Sequence, residues 1–446
     1  MKTPASPLVS SRRTFIKTLS AGAAGAGLSP RLTAAAYSRV SGANARLSVG
    51  MIGIGRMGRG HLNTLLNLGE EADVVALCDV YQPNLDWAHA RAPGAETFKD
   101  FRDLLNKPGL DAVVIASPDH WHALHTIHAC RAGKDVYVEK PSCLAIKEGR
   151  KMVDAVRTND RIVQVGTQQR SARHFQEAVE IVRSGVLGPV SLVRAWNSGN
   201  EFPDGIGNPA NSASPPGLDW DLWLGPAPRR PFNANRFGVM QDEKGDYTRW
   251  ASFRWFWDYA GGMMTDWGVH LLDIVQWAMA VDYPERISST GGKFYLQDNR
   301  ETPDTIVTSY HYPGFMCTYE NRSCNSLPLN GHGYGILFHG TAGTLFVDRA
   351  GFELMPERGS DGQPRQQARY EGERSHMQGF FDSIRTREQP ICDIEIGHRS
   401  SSTAILGNIA YRTGRHLTWD GAREDILDDP QAARLLDVAY RAPWVI

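Results

Sequence analysis

Largely apolar runs at 47–52, 74–78, 112–117, 136–138 and 162–165 are interspersed with stretches of helical length, among them 61–68, a segment ending at Ala132, and 146–156. Runs without polar alternation mark strands covered on both faces, and strands separated by helices build a doubly wound parallel sheet. An α/β domain is therefore predicted over 46–167. Beyond Gly166 the period changes. A helix is predicted over 174–184 and a strand over 192–196, while residues 202–232, rich in Pro, Gly and Asn, read as a long surface loop with embedded tryptophans. Apolar and polar positions then alternate at 287–295, 306–312, 315–319, 335–339 and 344–347, followed by helices at 377–385 and 401–412. This pattern predicts an α+β domain over 168–420, built on a large, mostly antiparallel sheet, with residues 421–446 as a tail packing on the body.

Candidate chemistry falls at the ends of the predicted strands. The first strand runs into Gly53-Ile54-Gly55-Arg56-Met57-Gly58, a Gly-x-Gly-x-x-Gly turn that opens a helix. Such a turn lets backbone approach a pyrophosphate at a helix N-terminus. Asp79 ends the second strand about twenty residues later, where a dinucleotide's ribose hydroxyls need an acceptor. Val80 and Tyr81 supply no cation for a 2'-phosphate, which favours NAD over NADP. Lys140 precedes Pro141 and is thereby held extended, so Glu139 and Lys140 should project from the carboxyl end of the 136–138 strand. In open α/β sheets that edge is where ligands bind, although a Glu-Lys pair is also an ordinary solvated strand end. In the second domain Asp266 and His270 are four apart and share one face if helical, with Thr265 as N-cap. Such a pair suits acid/base work, His270 taking a proton while Asp266 orients it. Two metal ligands at this spacing lack further His or Cys partners, so no metal is expected.

Composition narrows the partners. A net charge of -1 over 446 residues offers no general attraction for nucleic acids or anionic membranes, and neither is an expected partner. Many of the 12 tryptophans fall between Trp196 and Trp277. Indole faces suit sugar rings and protein cores alike. The six cysteines have no metal or redox spacing and are expected as small buried residues. At the N-terminus, Ser11-Arg12-Arg13-Thr14-Phe15-Ile16-Lys17 carries the paired arginines of a twin-arginine export signal, with a weakly apolar run to Leu28 and small residues at 34–36. Residues 1–36 are thus expected to be a signal peptide, and the mature protein to be periplasmic or otherwise exported.

The glycine turn, Ser117-Pro118 with His122, Glu139-Lys140-Pro141 and Asp266-x-x-x-His270 together resemble, in order and spacing, the Gfo/Idh/MocA oxidoreductases from about 47 to 420. Trp223-Leu224-Gly225-Pro226, Trp257-Asp258-Tyr259 and the 392–399 segment look like exported bacterial members. The resemblance implies an N-terminal Rossmann domain and hydride transfer between a nicotinamide cofactor and a hydroxyl of a sugar or cyclitol. It places Lys140 and His270 at the reacting hydroxyl with Asp266 beside them, and cofactor contacts at Gly53, Gly55, Arg56, Met57, Gly58, Asp79, Ser117, Pro118, His122, Glu139 and Lys140. Lys140 polarises the oxygen while His270 carries the proton, or the reverse. Ala260-Gly261-Gly262 departs from the three glycines common in relatives. Gln168, Gln169, Arg170 and Arg254 are candidates for fixing a sugar, and Trp121, Trp196, Trp255 and Trp257 for its apolar walls. Redox-assisted glycoside cleavage uses the same hydride chemistry and is an alternative, as is a sugar-binding protein without catalysis. A homodimer or homotetramer is expected, joined through the 287–347 sheet.

Overall fold

Six strands, β1 (Leu47–Ile52), β2 (Ala72–Cys78), β3 (Glu96–Phe98), β4 (Ala112–Ile115), β5 (Asp135–Val138) and β6 (Val163–Val165), form a parallel sheet in the order β3-β2-β1-β4-β5-β6. The computed structural model describes residues 46–238, 251–359, 365–370 and 375–446. The signal peptide expected at 1–36 lies outside them. β4 and β5 are buried at every position. Val113 and Ile115 enter one core cluster while Ala112 and Val114 enter another, so both faces of β4 are covered and no polar alternation can appear. Strand order reverses between β1 and β4, and the register sets Ile52 beside Cys78 and Ile115, Ile115 beside Val138, and Val138 beside Val165. The carboxyl ends consequently lie in one row.

The second sheet comprises β7 (Val190–Ser198), β8 (Arg286–Gly292), β9 (Thr305–Tyr312), β10 (Phe315–Arg322), β11 (Tyr334–Gly340), β12 (Gly343–Asp348), β13 (Gly351–Pro356), β14 (Gln366–Arg369), β15 (Leu417–Asp420) and β16 (Asp425–Leu427). Their order is β14-β13-β12-β11-β7-β10-β9-β8-β15-β16, and among the described pairings only β7 with β10 is parallel. The mostly antiparallel α+β expectation holds. One face, with Ala195, Tyr310, Tyr319 and Phe338, shares a core with Leu272 and Val275 of the Gly268–Met279 helix and Ile405 and Ile409 of the Ile394–Thr413 helix. The sequence pattern had not indicated β3, β13, β14, β15 or β16. All but β13 are only 3 or 4 residues long, and β14 (Gln-Gln-Ala-Arg) carries no apolar alternation to read.

One segment departs from its expected character, and the tail adds a strand to its expected packing. Residues 202–232, expected as a surface loop, fold against the first domain: Asp219 N donates to Val80 O at 2.9 Å, and Asp219 caps a short Trp220–Leu224 helix through Leu222 N at 2.9 Å. Trp223 is buried there in a cluster with Phe253, Phe256 and Tyr259. Residues 421–446 contribute β16 to the sheet and then return to the first domain. Tyr440 Oη donates to Glu148 Oε1 at 2.5 Å, and the Trp444 ring packs edge-on against Trp121 with centroids 4.9 Å apart. Trp444→Ala should therefore lower unfolding free energy by about 3 kcal/mol or more, the usual cost of truncating a buried aromatic. Urea denaturation followed by tryptophan fluorescence would measure it.

Candidate functional site

Past the row of strand ends the backbone turns into an open cleft of about 280 Å³. Gly53 has φ +89° and a Cβ there would lie 2.6 Å from Ser117 N, so the turn packs directly on the residues after β4. At Gly58 a Cβ would fall 2.1 Å from Gly53 O. Gly55 is different: nothing lies within 4 Å of its would-be Cβ, which faces open space at the start of the Arg56–Asn67 helix. Arg56 and Met57 line the same cleft. A dinucleotide's pyrophosphate fits this arrangement of bare backbone, open volume and helix N-terminus. Asp79 is tied to the turn, its Oδ2 accepting from Ile54 N at 2.7 Å and Asn84 Nδ2 at 3.1 Å, and its Oδ1 from Tyr81 N at 2.9 Å. Burial raises its pKa, against the opposing pull of those donors. The carboxylate is thus a strut as well as a ribose acceptor candidate, since Oδ1 retains acceptor capacity.

Further along, Lys140 Nζ donates to Asp266 O at 2.7 Å and Asp266 Oδ1 at 2.9 Å. Arg254 Nε reaches the same Oδ1 at 3.0 Å. Asp266 does not share a continuous helix with His270. A Gly262–Asp266 helix ends at Trp267 and a second begins at Gly268, so Thr265 sits in the last turn of the first and is not an N-cap. The break has a chemical result: His270 N donates to Trp267 O at 3.1 Å, leaving the Asp266 carbonyl to accept Lys140. Tyr319 Oη of β10, 2.9 Å from Met263 O, anchors the short helix to the sheet. Only Gly262 of the preceding turn has positive φ, +64°, which is why Ala260 is accommodated there. Burial alone would raise the Asp266 pKa, but Lys140 and Arg254 overcome it and hold the carboxyl well below its usual range.

His270 is buried, and its Nδ1 has no hydrogen-bond partner. Desolvation first, then Lys140 and Arg349, push its pKa well below the ordinary histidine value, so the ring is neutral at neutral pH. Glu139 accepts from His61 Nε2 at 2.8 Å and from Lys140 N at 3.3 Å. These partners outweigh its burial and keep it below the usual carboxylate range. Asp119, at the start of the Asp119–Arg131 helix, is pushed up to about 6, chiefly by burial.

Residues 47–167 match the family model described as oxidoreductase family, NAD-binding Rossmann fold, and residues 174–290 and 337–446 match the model of its C-terminal alpha/beta domain. The chain belongs to the Gfo/Idh/MocA oxidoreductase family. Similar proteins include an inositol 2-dehydrogenase of Rubrobacter xylanophilus, 34% identical over 166 residues, or 37% of this chain and 48% of that protein. Another, from Klebsiella pneumoniae, is 32% identical over 151 residues, 33% of this chain and 44% of that protein. The chain spans about half the length of these curated relatives. Among solved structures, the WlbA dehydrogenase of Bordetella pertussis, crystallised with NADH and UDP-GlcNAcA, superposes with TM-score 0.62 at 20% identity, covering 84% of this chain and 99% of that one. The aldose-aldose oxidoreductase of Caulobacter crescentus, with glycerol, gives 0.61 at 18%, covering 84% and 99%. At such identities the superpositions establish the shared fold.

In this Gfo/Idh/MocA chain the cleft gathers Gly53, Gly55, Arg56, Met57, Asp79, Ser117, Pro118, His122, Glu139, Lys140, Gln168, Trp121, Arg254, Asp266 and His270. His122 bridges two strand-end loops, its ring nitrogens 2.6 Å from Pro141 O and 2.8 Å from Ser117 O. Other expected residues lie elsewhere. Arg170 is buried against Asp273, with Nε to Oδ2 at 2.8 Å and Nη2 to Oδ1 at 2.9 Å, so its donors hold helices together and do not face the cleft. Gln169 is buried outside the cleft lining. Trp257 packs near Tyr411 under the Arg412 guanidinium, and Trp255 under that of Arg300. Trp196 alternates to the sheet face opposite the helices, beside Leu337 and Phe346. Asp119, Asn84, Phe237, Phe253, Trp267 and Arg349 line the cleft without having been anticipated. Asp119 carried a local clue, standing between Pro118 and His120 at a helix start. Arg349 carried none.

The two kinds of glycine give a test. Gly55→Val should leave the fold intact and abolish NADH binding, because its side chain enters only the open seat. Gly58→Ala should instead lower the melting temperature, since its methyl meets backbone at 2.1 Å. Thermal melts with NADH fluorescence titration separate the two effects.

Proposed function

We propose that this protein transfers a hydride between NAD and a secondary hydroxyl or ketone of a sugar, glycoside or cyclitol, with Lys140 and His270 handling the proton. The carrying observation is that Lys140, from the cofactor-type domain, meets Asp266 of the second domain at 2.9 Å, in a cleft that His270 also lines. The names of the inositol 2-dehydrogenase relatives support the substrate class. NADH in the WlbA complex supports the cofactor, and the acidic Asp79 at the end of β2 favours NAD over NADP. When bound, NAD would supply the hydride acceptor or donor. Lys140, oriented by the Asp266 carbonyl and carboxylate, polarises the substrate oxygen. His270, neutral through burial and neighbouring cations, is the acceptor of the hydroxyl proton during oxidation and its donor during reduction. Asp266 lies near enough to offset the imidazolium electrostatically. Gln168 and Arg254 serve as further polar contacts to substrate.

Lys140→Ala should cut turnover by about a hundredfold or more while NADH still binds, the usual scale of a lost acid/base contribution. An active Lys140→Ala enzyme would remove the central claim. Because the His270 pKa is depressed, its basic form persists as pH falls through 6.5. The kcat/KM for alcohol oxidation should hold through that value and decline only at lower pH. Aglycone released from glycosides without net NADH would instead indicate elimination driven by transient oxidation.

The proposal extends to the cell. Export through the twin-arginine route carries folded protein, so NAD can be loaded in the cytoplasm, retained and recycled in place by a second sugar substrate. Retention requires nanomolar affinity or tighter, about -12 kcal/mol. Protein purified from the periplasm and denatured should release close to one dinucleotide per chain by mass spectrometry, whereas empty protein would overturn retention. The face of the large sheet away from its helices, where Val307 is exposed, is proposed as the homodimer or homotetramer contact.

A further inference from the structure

Three cations line the second-domain half of the cleft or its border with the strand ends: Lys140, Arg254 and Arg349. Two of them share one carboxylate, Asp266. Arg349 follows β12 at the turn into β13 and lies half-buried against Trp267, its Cζ 4.7 Å from the ring centroid. Its Nε is buried without a hydrogen-bond partner, and no carboxylate pairs with its guanidinium among the described residues. The carboxylates that influence it, Asp266 and Glu139, are engaged elsewhere, the first by Lys140 and Arg254 and the second by His61 and Lys140 N. Withdrawing a guanidinium from water without partners is unfavourable, and a planar fork of donors is matched by a planar carboxylate.

We propose that Arg349 receives a carboxylate of the substrate, so that the class of sugar this cleft selects is a sugar acid of the uronate type. The inference rests on the oxidoreductase reading above and narrows its substrate. Trp267, stacked on Arg349 and adjoining His270, offers an apolar face to the ring that carries the acid. A planar carboxylate matches the single unpaired guanidinium fork, one charge for one. Arg349 packs on Trp267, the residue that follows Asp266, which places it at the Lys140 end of the cleft.

The test uses NAD-loaded protein with D-glucuronate and D-galacturonate, each against its own methyl ester, which removes the charge and little else. Calorimetry measures binding and absorbance of the reduced cofactor measures turnover. Wild type should favour at least one acid over its ester by about 10- to 100-fold in kcat/KM, the scale of a charge-assisted hydrogen bond. In Arg349→Gln that ratio should fall to near one, and Arg349→Lys should retain part of it. Equal use or equal binding of acid and ester by wild type overturns the proposal without needing any variant to fold. So does a ratio that survives in Arg349→Gln, or a variant whose only defect is weaker NADH binding. If acids bind better than esters but no sugar is turned over, the anion subsite stands and the oxidoreductase reading fails.

Discussion

Lys140 and Asp266 are 126 residues apart, and their contact is the constraint around which the cleft is arranged. Both side chains are largely withdrawn from water, with 12% and 20% of their surface exposed. Charges so placed persist only when paired and hydrogen-bonded, because desolvation otherwise exceeds the Coulomb gain. The pair meets that condition through a carbonyl, a carboxylate and a second cation, Arg254. It also fixes geometry. Lys140 can reach the Asp266 carbonyl only because the helix breaks at Trp267, and the same break begins the helix that carries His270 into the cleft.

Neighbouring carboxyl groups respond to this arrangement in opposite directions. Asp266 has two cations within hydrogen-bond range and is held low despite burial. Asp119 is more deeply buried and is influenced by cations only at longer range, and burial lifts it to about 6. The imidazole of His270 completes the pattern, kept neutral by its burial and then by Lys140 and Arg349. A neutral base beside an oriented cation is the combination that proposed hydride chemistry on an alcohol requires. The surrounding aromatic wall comes from three distant places in the chain, Trp121, the Trp220–Leu224 helix and the Phe253 segment, with Trp444 bracing Trp121 from behind.

Much of the first domain was legible locally. A strand buried on both faces must be apolar at every position, and a turn that admits backbone at 2.1 Å must be glycine, so the sheet and the Gly53–Gly58 turn declare themselves in composition. The position of Lys140 followed from Pro141 and a strand end. Asp266 and His270 were picked out as a pair, but the coupling expected between them was wrong: the sequence spacing suggested one helical face, whereas a break at Trp267 turns Asp266 towards Lys140 and leaves His270 Nδ1 without a partner. Arg170 was expected at the sugar and Arg349 was not anticipated, for a similar reason. An arginine's role depends on whether a carboxylate is packed beside it, and Asp273 stands beside Arg170 while none stands beside Arg349 among the described residues.

By itself, then, the sequence determined the family, the parallel sheet, the glycine turn and the identity of the charged groups at strand ends, because these depend on periodicity and on contacts within a few residues. Tertiary structure decided which groups meet. It set the strand register that lines up Ile52, Ile115, Val138 and Val165, brought Asp266 to Lys140, laid the Trp220–Leu224 helix against the cleft and packed the C-terminal tail behind Trp121. Hydrogen bonds and desolvation act through space, and Lys140 and Asp266 are 126 residues apart, a separation over which no local pattern carries information.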